Sequence, residues 1–374
     1  MRFITQSFVG PNSPWFSAIF SGSIKGKTSC IIGLAATCLL TVSGSGAADA
    51  AQPNMPLRLV SATPMPDFAG DFDHFASDLK GNRLFLSAEE HQSVEVFDLH
   101  TGARVHSIMG FSHPLTMVYL PESNHLLVTD FGPTEKGQGS VHLVDCSNYR
   151  IIGTIPLPSS VDESEYNPVD KNFYVESDDE TPSKDSHLLN IIDTQSFKLI
   201  GTISLPGPIH EGTCVDRAGK YLYFNNTGIN ELGVLDLVTR QVVARWAMPV
   251  GANAHALALD ESSRRLFSAT REPGLLNVFD VDTHKLVASL PCVGVNSNMW
   301  IDAARKRIYV TGSGAISVFK QIDADHYEHL ADVPSAYRAK SSWFEPSLNR
   351  LYVAASNKKK PEVKMQLLIF EPQD

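Results

Sequence analysis

The sequence predicts an all-β protein, a seven-bladed β-propeller of four-stranded antiparallel blades closed by the N-terminal strand. One apolar-aromatic run recurs at intervals of 42, 47, 49, 44, 42 and 43 residues, and the seven copies are anchored on Leu84, Leu126, Phe173, Leu222, Leu266, Ile308 and Leu351. Repeats of about 40–50 residues with four short strands are typical of propeller blades, whereas helical solenoid repeats are usually shorter. The sequence contains no long stretch with helical periodicity.

Each repeat begins with a first strand and a tight turn, and the anchored run is the second strand. Six residues before the anchors stand Asp78, Leu120, Asn167, Asp216, Asp260, Asp302 and Glu345. Short polar side chains at this position bond the backbone of a turn. The third strands read SVEVFD, SVHLVD, LLNIID, ELGVLD, LLNVFD, AISVFK and QLLIFE. Five end in Asp, often with Ser or Thr three residues later, which predicts a hairpin turn and a structural aspartate rather than a catalytic one.

The fourth strand is present in six copies, and the chain ends just after the seventh third strand. Near the other end of the chain, Arg58–Pro64 aligns with the fourth-strand run Arg150–Pro156. We therefore expect the N-terminal strand to pair with the last blade. Such closure removes an exposed sheet edge, which is an aggregation hazard.

The first 50 residues differ from the rest and predict a signal peptide. Lys25 and Lys27 precede an apolar run from Cys30 to Val42, and Ala48-Asp49-Ala50 has the form of a cleavage site. The apolar run is too short to span a bilayer. Residues 51–374 then form one propeller domain, and we expect export to the periplasm or the outside, with no membrane span after the signal is removed.

Charge and cysteine content exclude two classes of function. Residues 1–50 hold three of the 31 basic and one of the 41 acidic residues, which leaves 28 against 40 and a charge of −12. A net acidic protein is a poor partner for nucleic acid. Cys146, Cys214 and Cys292 fall in different repeats, which predicts neither a disulfide framework nor a zinc site. A closed ring needs no second copy, so we expect a monomer.

The motifs resemble one known family. Tyr309-Val310-Thr311-Gly312 is similar to the YVTN repeat, and NIIDT (190–194) and NVFDVDT (277–283) resemble the run that follows it in YncE-like propeller proteins. The resemblance covers residues 56–372 and implies an exported, seven-bladed binding protein. Related folds include lactonases of the 6-phosphogluconolactonase type and streptogramin lyases, but their catalytic residues have no position-by-position match here.

Residues ten to thirteen before each anchor are expected to ring one mouth of the central channel, together with the loops between second and third strands, such as Asp130–Gln138 and Ser177–His187. Function has to be argued from this site, because the fold hosts many activities. The candidate ligand-binding residues are Asp73, His74, His113, Glu163, His210, Glu211, His255, Asn298, Arg338 and Lys340.

Three interpretations of this ring remain open. His74, His210, His255 and Glu211 have the chemistry to ligate a divalent metal such as zinc or copper, the one cofactor considered, which would support a hydrolase or lyase of lactonase type. Alternatively, the ring recognises a small solute or a protein partner, with Arg338 and Lys340 holding an anionic group. A pure interaction scaffold would instead need an exposed apolar patch elsewhere. We favour the binding protein.

Overall fold

The computed structural model describes residues 55–133, 138–178, 186–207 and 211–374, and these form a ring of seven four-stranded antiparallel sheets. The predicted fold class is confirmed. The signal peptide predicted for residues 1–50 lies outside the described residues and stays a prediction. In the described part of the chain, no helix is long and apolar enough to cross a membrane.

The first four blades follow one another along the chain. Blade 1 contains β2 (Phe72–Asp78), β3 (Arg83–Ala88), β4 (Ser93–Asp98) and β5 (Arg104–Met109); blade 2 contains β6 (Pro114–Leu120), β7 (His125–Asp130), β8 (Ser140–Asp145) and β9 (Arg150–Pro156); blade 3 contains β10 (Val161–Asn167), β11 (Asn172–Asp178), β12 (Ser186–Asp193) and β13 (Lys198–Pro206); blade 4 contains β14 (Glu211–Val215), β15 (Tyr221–Asn226), β16 (Glu231–Asp236) and β17 (Gln241–Ala247).

The remaining blades complete the ring. Blade 5 contains β18 (Ala252–Asp260), β19 (Arg265–Glu272), β20 (Gly274–Asp280) and β21 (Leu286–Pro291); blade 6 contains β22 (Asn298–Asp302), β23 (Arg307–Thr311), β24 (Ala315–Gln321) and β25 (Tyr327–Pro334); blade 7 contains β26 (Ser341–Glu345), β27 (Arg350–Ala355), β28 (Gln366–Pro372) and β1 (Leu57–Pro64). Single turns of 3₁₀ helix occur at Thr227–Ile229 and Pro346–Leu348.

The ring closes as the sequence predicts. Strand β1 pairs antiparallel with β28, from Leu57 opposite Pro372 to Pro64 opposite Gln366. The first strands of the blades contact one another in ring order, and β26 of blade 7 contacts β2 of blade 1. These seven first strands therefore form the inner wall around the central channel.

The turn aspartates have the structural role that their spacing predicts. Asp98 Oδ1 accepts a hydrogen bond from the backbone N–H of Thr101 at 2.8 Å, and Asp236 Oδ1 accepts one from Thr239 at the same distance. Asp280 bonds Thr283 in the same way at 2.7 Å. These hydrogen bonds stabilise the hairpin turns between third and fourth strands, as expected of Asx turns.

The apolar core lies between the blades. Seven clusters of buried side chains each join two neighbouring blades. In one of them, Phe75 of blade 1 packs with Tyr352 and Ile369 of blade 7, so the closing interface has the same construction as the others. Burying a large apolar side chain contributes about 1.5–3 kcal/mol, which makes these interfaces the main source of stability.

Arg83 adds a buried polar link between blades 1 and 2. Its guanidinium donates to Asp78 Oδ2 at 2.6 Å, to Asn124 Oδ1 at 2.6 Å and to the carbonyl oxygen of Cys146 at 2.5 Å. The Arg83 and Asp78 side chains are only 14% and 3% exposed. Removal of the cation would leave a buried carboxylate without its counter-charge.

We expect loss of β1 to destabilise the whole ring. A chain that starts at Met65 lacks β1 and exposes the backbone edge of β28, so it should aggregate or melt at least about 10 °C lower. The control is a chain that starts at Met55 and keeps β1. Equal melting temperatures for the two chains, measured by differential scanning calorimetry, would show that ring closure by β1 does not stabilise the fold.

We also expect Arg83→Met to lower the free energy of unfolding by about 3 kcal/mol, because it leaves Asp78 buried and unpaired. The matched control is Arg264→Met, since Arg264 pairs with Asp282 where both side chains are more than half exposed. Exposed pairs contribute at most about 1 kcal/mol. Urea unfolding measures both changes, and similar values for the two variants would contradict the role of Arg83.

Candidate functional site

Two cavities follow one another along the central channel, and we call the end at which the inner strands begin the mouth. The outer one, the mouth pocket, has a volume of 490 Å³ and is lined by Asp73, Glu89, Glu90, His113, Leu115, Phe131, Pro133, Asp162 and Lys358. The inner one, the channel cavity, has a volume of 360 Å³ and is lined by residues from all seven inner strands, among them His74, Thr116, Glu163, Asn298 and Trp343.

β-Bulges position the polar side chains at the mouth. In five of the seven inner strands the pairing with the second strand shifts register there; the shifts fall at Phe72/Phe75, Pro114/Met117, Val161/Ser164, Glu211/Thr213 and Ala254/Ala256. Within the first three shifts lie Asp73 and His74, Leu115 and Thr116, and Asp162 and Glu163. The first residue of each pair lines the mouth pocket and the second lines the channel cavity. A bulge thus lets consecutive residues both reach ligand-accessible space.

Arg338 and Lys340 lie at the mouth, as the sequence predicts, and both are paired with carboxylates of blade 1. Arg338 Nη2 donates to Asp71 Oδ2. Lys340 Nζ lies 3.4 Å from Asp73 Oδ1, 3.4 Å from the carbonyl oxygen of Phe72 and 3.9 Å from Asp71 Oδ2. Burial acts to lower the pKa of Lys340, but Asp73 and Asp71 outweigh it and raise that pKa. Both cations are therefore neutralised within the chain.

His74 lies in an ion-pair chain that crosses the channel. Its Nδ1 is 2.9 Å from Asp73 Oδ2, and its Nε2 is 3.7 Å from Glu163 Oε2 of blade 3. Burial acts to lower the pKa of His74, but the charges of Asp73 and Glu163 raise it to about 9. The imidazole is thus protonated at neutral pH. Burial likewise opposes ionisation of Asp73, yet His74 and Lys340 hold its pKa well below the usual range.

Strand β10 supplies three carboxyl groups that run from the mouth into the channel. Asp162 is exposed at the mouth, yet desolvation by the surrounding ring, followed by repulsion from Glu211 and Glu163, raises its pKa well above the usual value. Burial is also the largest cause that raises the pKa of Glu163 to about 7, despite the attraction of His74. Burial raises the pKa of Glu165 to about 8. The cations nearby are thus too few to keep all three carboxyl groups of β10 fully ionised near neutral pH.

Glu211 and His255 form a second pair at the mouth. His255 Nδ1 lies 2.7 Å from Glu211 Oε2, and His255 Nε2 lies 3.0 Å from Asn253 Oδ1. His255 is 8% exposed. Burial lowers the pKa of His255 despite the neighbouring Glu211. This pair joins blades 4 and 5, and Glu211 repels the carboxyl groups of Asp162 and Glu163 on β10.

The remaining predicted site residues have mixed roles. His113 lines the mouth pocket, and its Nδ1 lies 2.9 Å from the carbonyl oxygen of Gly132. Asn298 lines the channel cavity, and its Oδ1 accepts a 2.8 Å hydrogen bond from the backbone N–H of Ser342. His210 lies outside the described residues.

Sequence reasoning missed four residues at the mouth: Glu89, Phe131, Arg271 and Lys358. All four come from the end of a second strand or from the segment that follows it. Arg271 Nε donates to the carbonyl oxygen of Asn296 at 2.6 Å and Nη2 donates to Ser297 Oγ at 2.8 Å. Lys358 Nζ lies 3.0 Å from Glu90 Oε1 and 3.5 Å from Glu89 Oε2. The signal that points to them is the same blade register that selected the inner-strand residues.

The proposed metal ligands do not meet as one group in the part of the chain that is described. No set of three or more His, Cys, Asp or Glu side chains there is arranged to hold a metal ion. His74 contacts Asp73 and Glu163, whereas His255 contacts Glu211. With His210 outside the described residues, the four-residue metal set stays a prediction.

Comparisons with known proteins agree with the fold. A family model described as the cytochrome D1 heme domain matches residues 181–313. A solved structure titled "Crystal Structure of Mitotic Checkpoint Complex" is similar with a TM-score of 0.68 and 15% identity, over 90% of this chain and 99% of that chain. An identity this low shows the fold alone. No curated protein matches the chain. These matches support a propeller, and the closer likeness to YncE-like proteins stays a prediction.

The donor chemistry of the inner strands does not fit the heme for which the matched family is named. A heme iron needs an axial side chain such as an imidazole nitrogen. His74 and His255, the two described histidines on the inner strands, each have both ring nitrogens in contact with other side chains. The acidic side chains of a heme would also meet the carboxyl groups of β10, while Arg338 and Lys340 are already paired.

We expect stability to fall as pH rises from about 5 to 9. The pKa of Glu163 is about 7 in the folded state, against a usual 4.5. Between these two values the carboxyl group ionises in the unfolded chain but stays protonated in the folded one, so rising pH favours unfolding. The folded pKa of His74, about 9, exceeds 6.5, so its contribution is complete below pH 6.5 and is lost as pH rises through 9.

Glu163→Gln should therefore reduce the dependence of the melting temperature on pH between pH 4.5 and 7. It removes a destabilisation that corresponds to at most about 3 kcal/mol for a pKa change of this size. Glu328→Gln is the matched control, because Glu328 is exposed on β25. Melting temperatures measured across this range decide the point, and a Glu163→Gln profile parallel to wild type would contradict the assignment.

Proposed function

We propose that this protein is an exported binding protein that takes a small solute at the mouth of its central channel. The observation that carries the proposal is the pair of consecutive cavities, 490 and 360 Å³, into which β-bulges of blades 1 and 3 aim charged side chains. Small-molecule sites commonly have volumes of roughly 300–1,000 Å³ and a few convergent polar groups.

The cost of this polar wall supports a role in binding. Desolvated charges weaken a fold unless they are paired, and apolar residues of similar size often serve stability equally well. The blade interfaces already hold the ring together through seven apolar clusters. The apolar clusters thus account for blade packing without the charged ring at the mouth, whose composition is suited to ligand recognition.

The shape of the site favours a solute over a protein partner. The candidate residues lie inside a concave opening of the ring, where a small molecule can be surrounded. A protein surface of ordinary size needs about 800 Å² on each partner and a broad contact area. A protein partner would have to insert a loop to reach Glu163 or His74. Export is part of the proposal and is supported by the basic residues, apolar run and cleavage motif within residues 1–50.

Ligand screening with a mouth variant tests the proposal. The chain from residue 51 is screened by thermal shift against amines, amino acids, sugars and carboxylic acids, and hits are measured by isothermal titration calorimetry. Asp162→Asn should weaken binding at least about ten-fold, because Asp162 lines the mouth pocket. It should not impair folding, since Asp162 lies among like charges.

Asp323→Asn is the matched control, because Asp323 lies in an exposed turn of blade 6 and its side chain is 60% exposed. We expect this variant to bind like wild type. Hits whose affinity is equal in wild type, Asp162→Asn and Asp323→Asn would place binding outside the mouth and overturn the proposal.

A further inference from the structure

The cations at the mouth are already engaged, so they are poor receptors for an anion. Arg338 is bound to Asp71, Lys340 to Asp73, and Lys358 to Glu90. Arg271 donates to two neutral groups, the carbonyl oxygen of Asn296 and Ser297 Oγ, and lines neither of the two cavities. An anionic ligand would have to break one of these contacts and would then lie beside uncompensated carboxyl groups. The sequence-based expectation that Arg338 and Lys340 hold an anionic group is therefore not favoured by the geometry.

Carboxyl groups, in contrast, are in surplus. Asp162 lines the mouth pocket, and Glu163 and Glu165 line the channel cavity directly below it. Repulsion from Glu211 acts on both Asp162 and Glu163. A cation placed between the two cavities would reduce this repulsion, which a neutral or anionic ligand cannot do.

The part of the mouth pocket formed by blade 2 is apolar. Leu115, Phe131 and Pro133 line it. A phenyl ring or alkyl chain would be desolvated there, and an aromatic face also attracts a cationic group. A bare metal ion would make no use of this wall, and the described residues hold no set of three metal-binding side chains. The pocket thus combines an acidic wall with an apolar one.

We infer that the mouth binds a small organic cation, a protonated amine with an apolar portion, in which the ammonium group lies between Asp162 and Glu163 and the apolar portion lies against Phe131. This inference rests on the proposed binding site at the mouth and names its ligand class. An ammonium group donates three hydrogen bonds and accepts none, and its charge favours the ionised, acceptor-only form of the neighbouring carboxyl groups.

Three probes of similar size test the charge requirement: phenethylamine, 2-phenylethanol and phenylacetate. Binding is measured by isothermal titration calorimetry at pH 7.5 in phosphate, which avoids amine buffers. Phenethylamine should bind at least ten-fold more tightly than the alcohol, and phenylacetate should bind most weakly. Asp162→Asn and Glu163→Gln should each weaken phenethylamine at least ten-fold, while Glu328→Gln should leave it unchanged.

The outcomes separate this inference from the proposed function. Tighter binding of phenylacetate or 2-phenylethanol that is lost in Asp162→Asn would overturn the cation inference and leave a solute site at the mouth. Stoichiometric binding of heme in the same assay, or of Ca²⁺ or Zn²⁺ in HEPES, which does not precipitate these ions as phosphate does, would overturn it as well. Binding that none of the mouth variants changes would overturn both proposals.

Discussion

The pairing of β1 with β28 is the constraint on which the rest of the structure depends. It joins a strand near the beginning of the propeller to the last strand, and it completes blade 7 so that blade 7 can pack on blade 1. Only in a closed ring do seven inner strands face one channel. The ion pairs between Arg338 and Asp71 and between Lys340 and Asp73 cross this same interface. Closure therefore creates both the stability of the ring and the cationic side of its mouth.

The candidate site results from a balance between a stable scaffold and costly charges. Apolar clusters between the blades stabilise the ring, which allows the inner strands to carry Asp, Glu and His where their solvation is poor. Part of this cost is offset by pairing, as His74 shows with Asp73 and Glu163. The remainder appears as raised pKa values for Asp162, Glu163 and Glu165, all on β10. The composition of β10 indicates a ligand-facing surface, because the neighbouring inner strands β6 and β14 carry fewer acidic side chains.

Part of the candidate site was accessible from the blade register. Counting back from the anchors predicted, without any structural information, that His74, Glu163, His255 and Lys340 lie at the mouth. The same count did not show that Asp73 faces the mouth pocket while its neighbour His74 faces the channel cavity. Side chains alternate along a regular strand, and the bulge between Phe72 and Phe75 suspends that rule. Bulges depend on the twist and packing of the neighbouring blade, which one repeat does not encode.

The sequence by itself determined the number of blades, the strand order within each blade and the closing role of Arg58–Pro64. These features follow from local alternation, turn chemistry and a repeat length, all of which act over a few residues. Only the tertiary structure decided which charges meet. Arg338 and Asp71 are 267 residues apart in the chain, and their pairing, with that of Lys340 and Asp73, neutralises these two cations among the described residues of the mouth. The net charge of the mouth depends on such long-range ion pairs, because residues far apart in sequence become nearest neighbours in space.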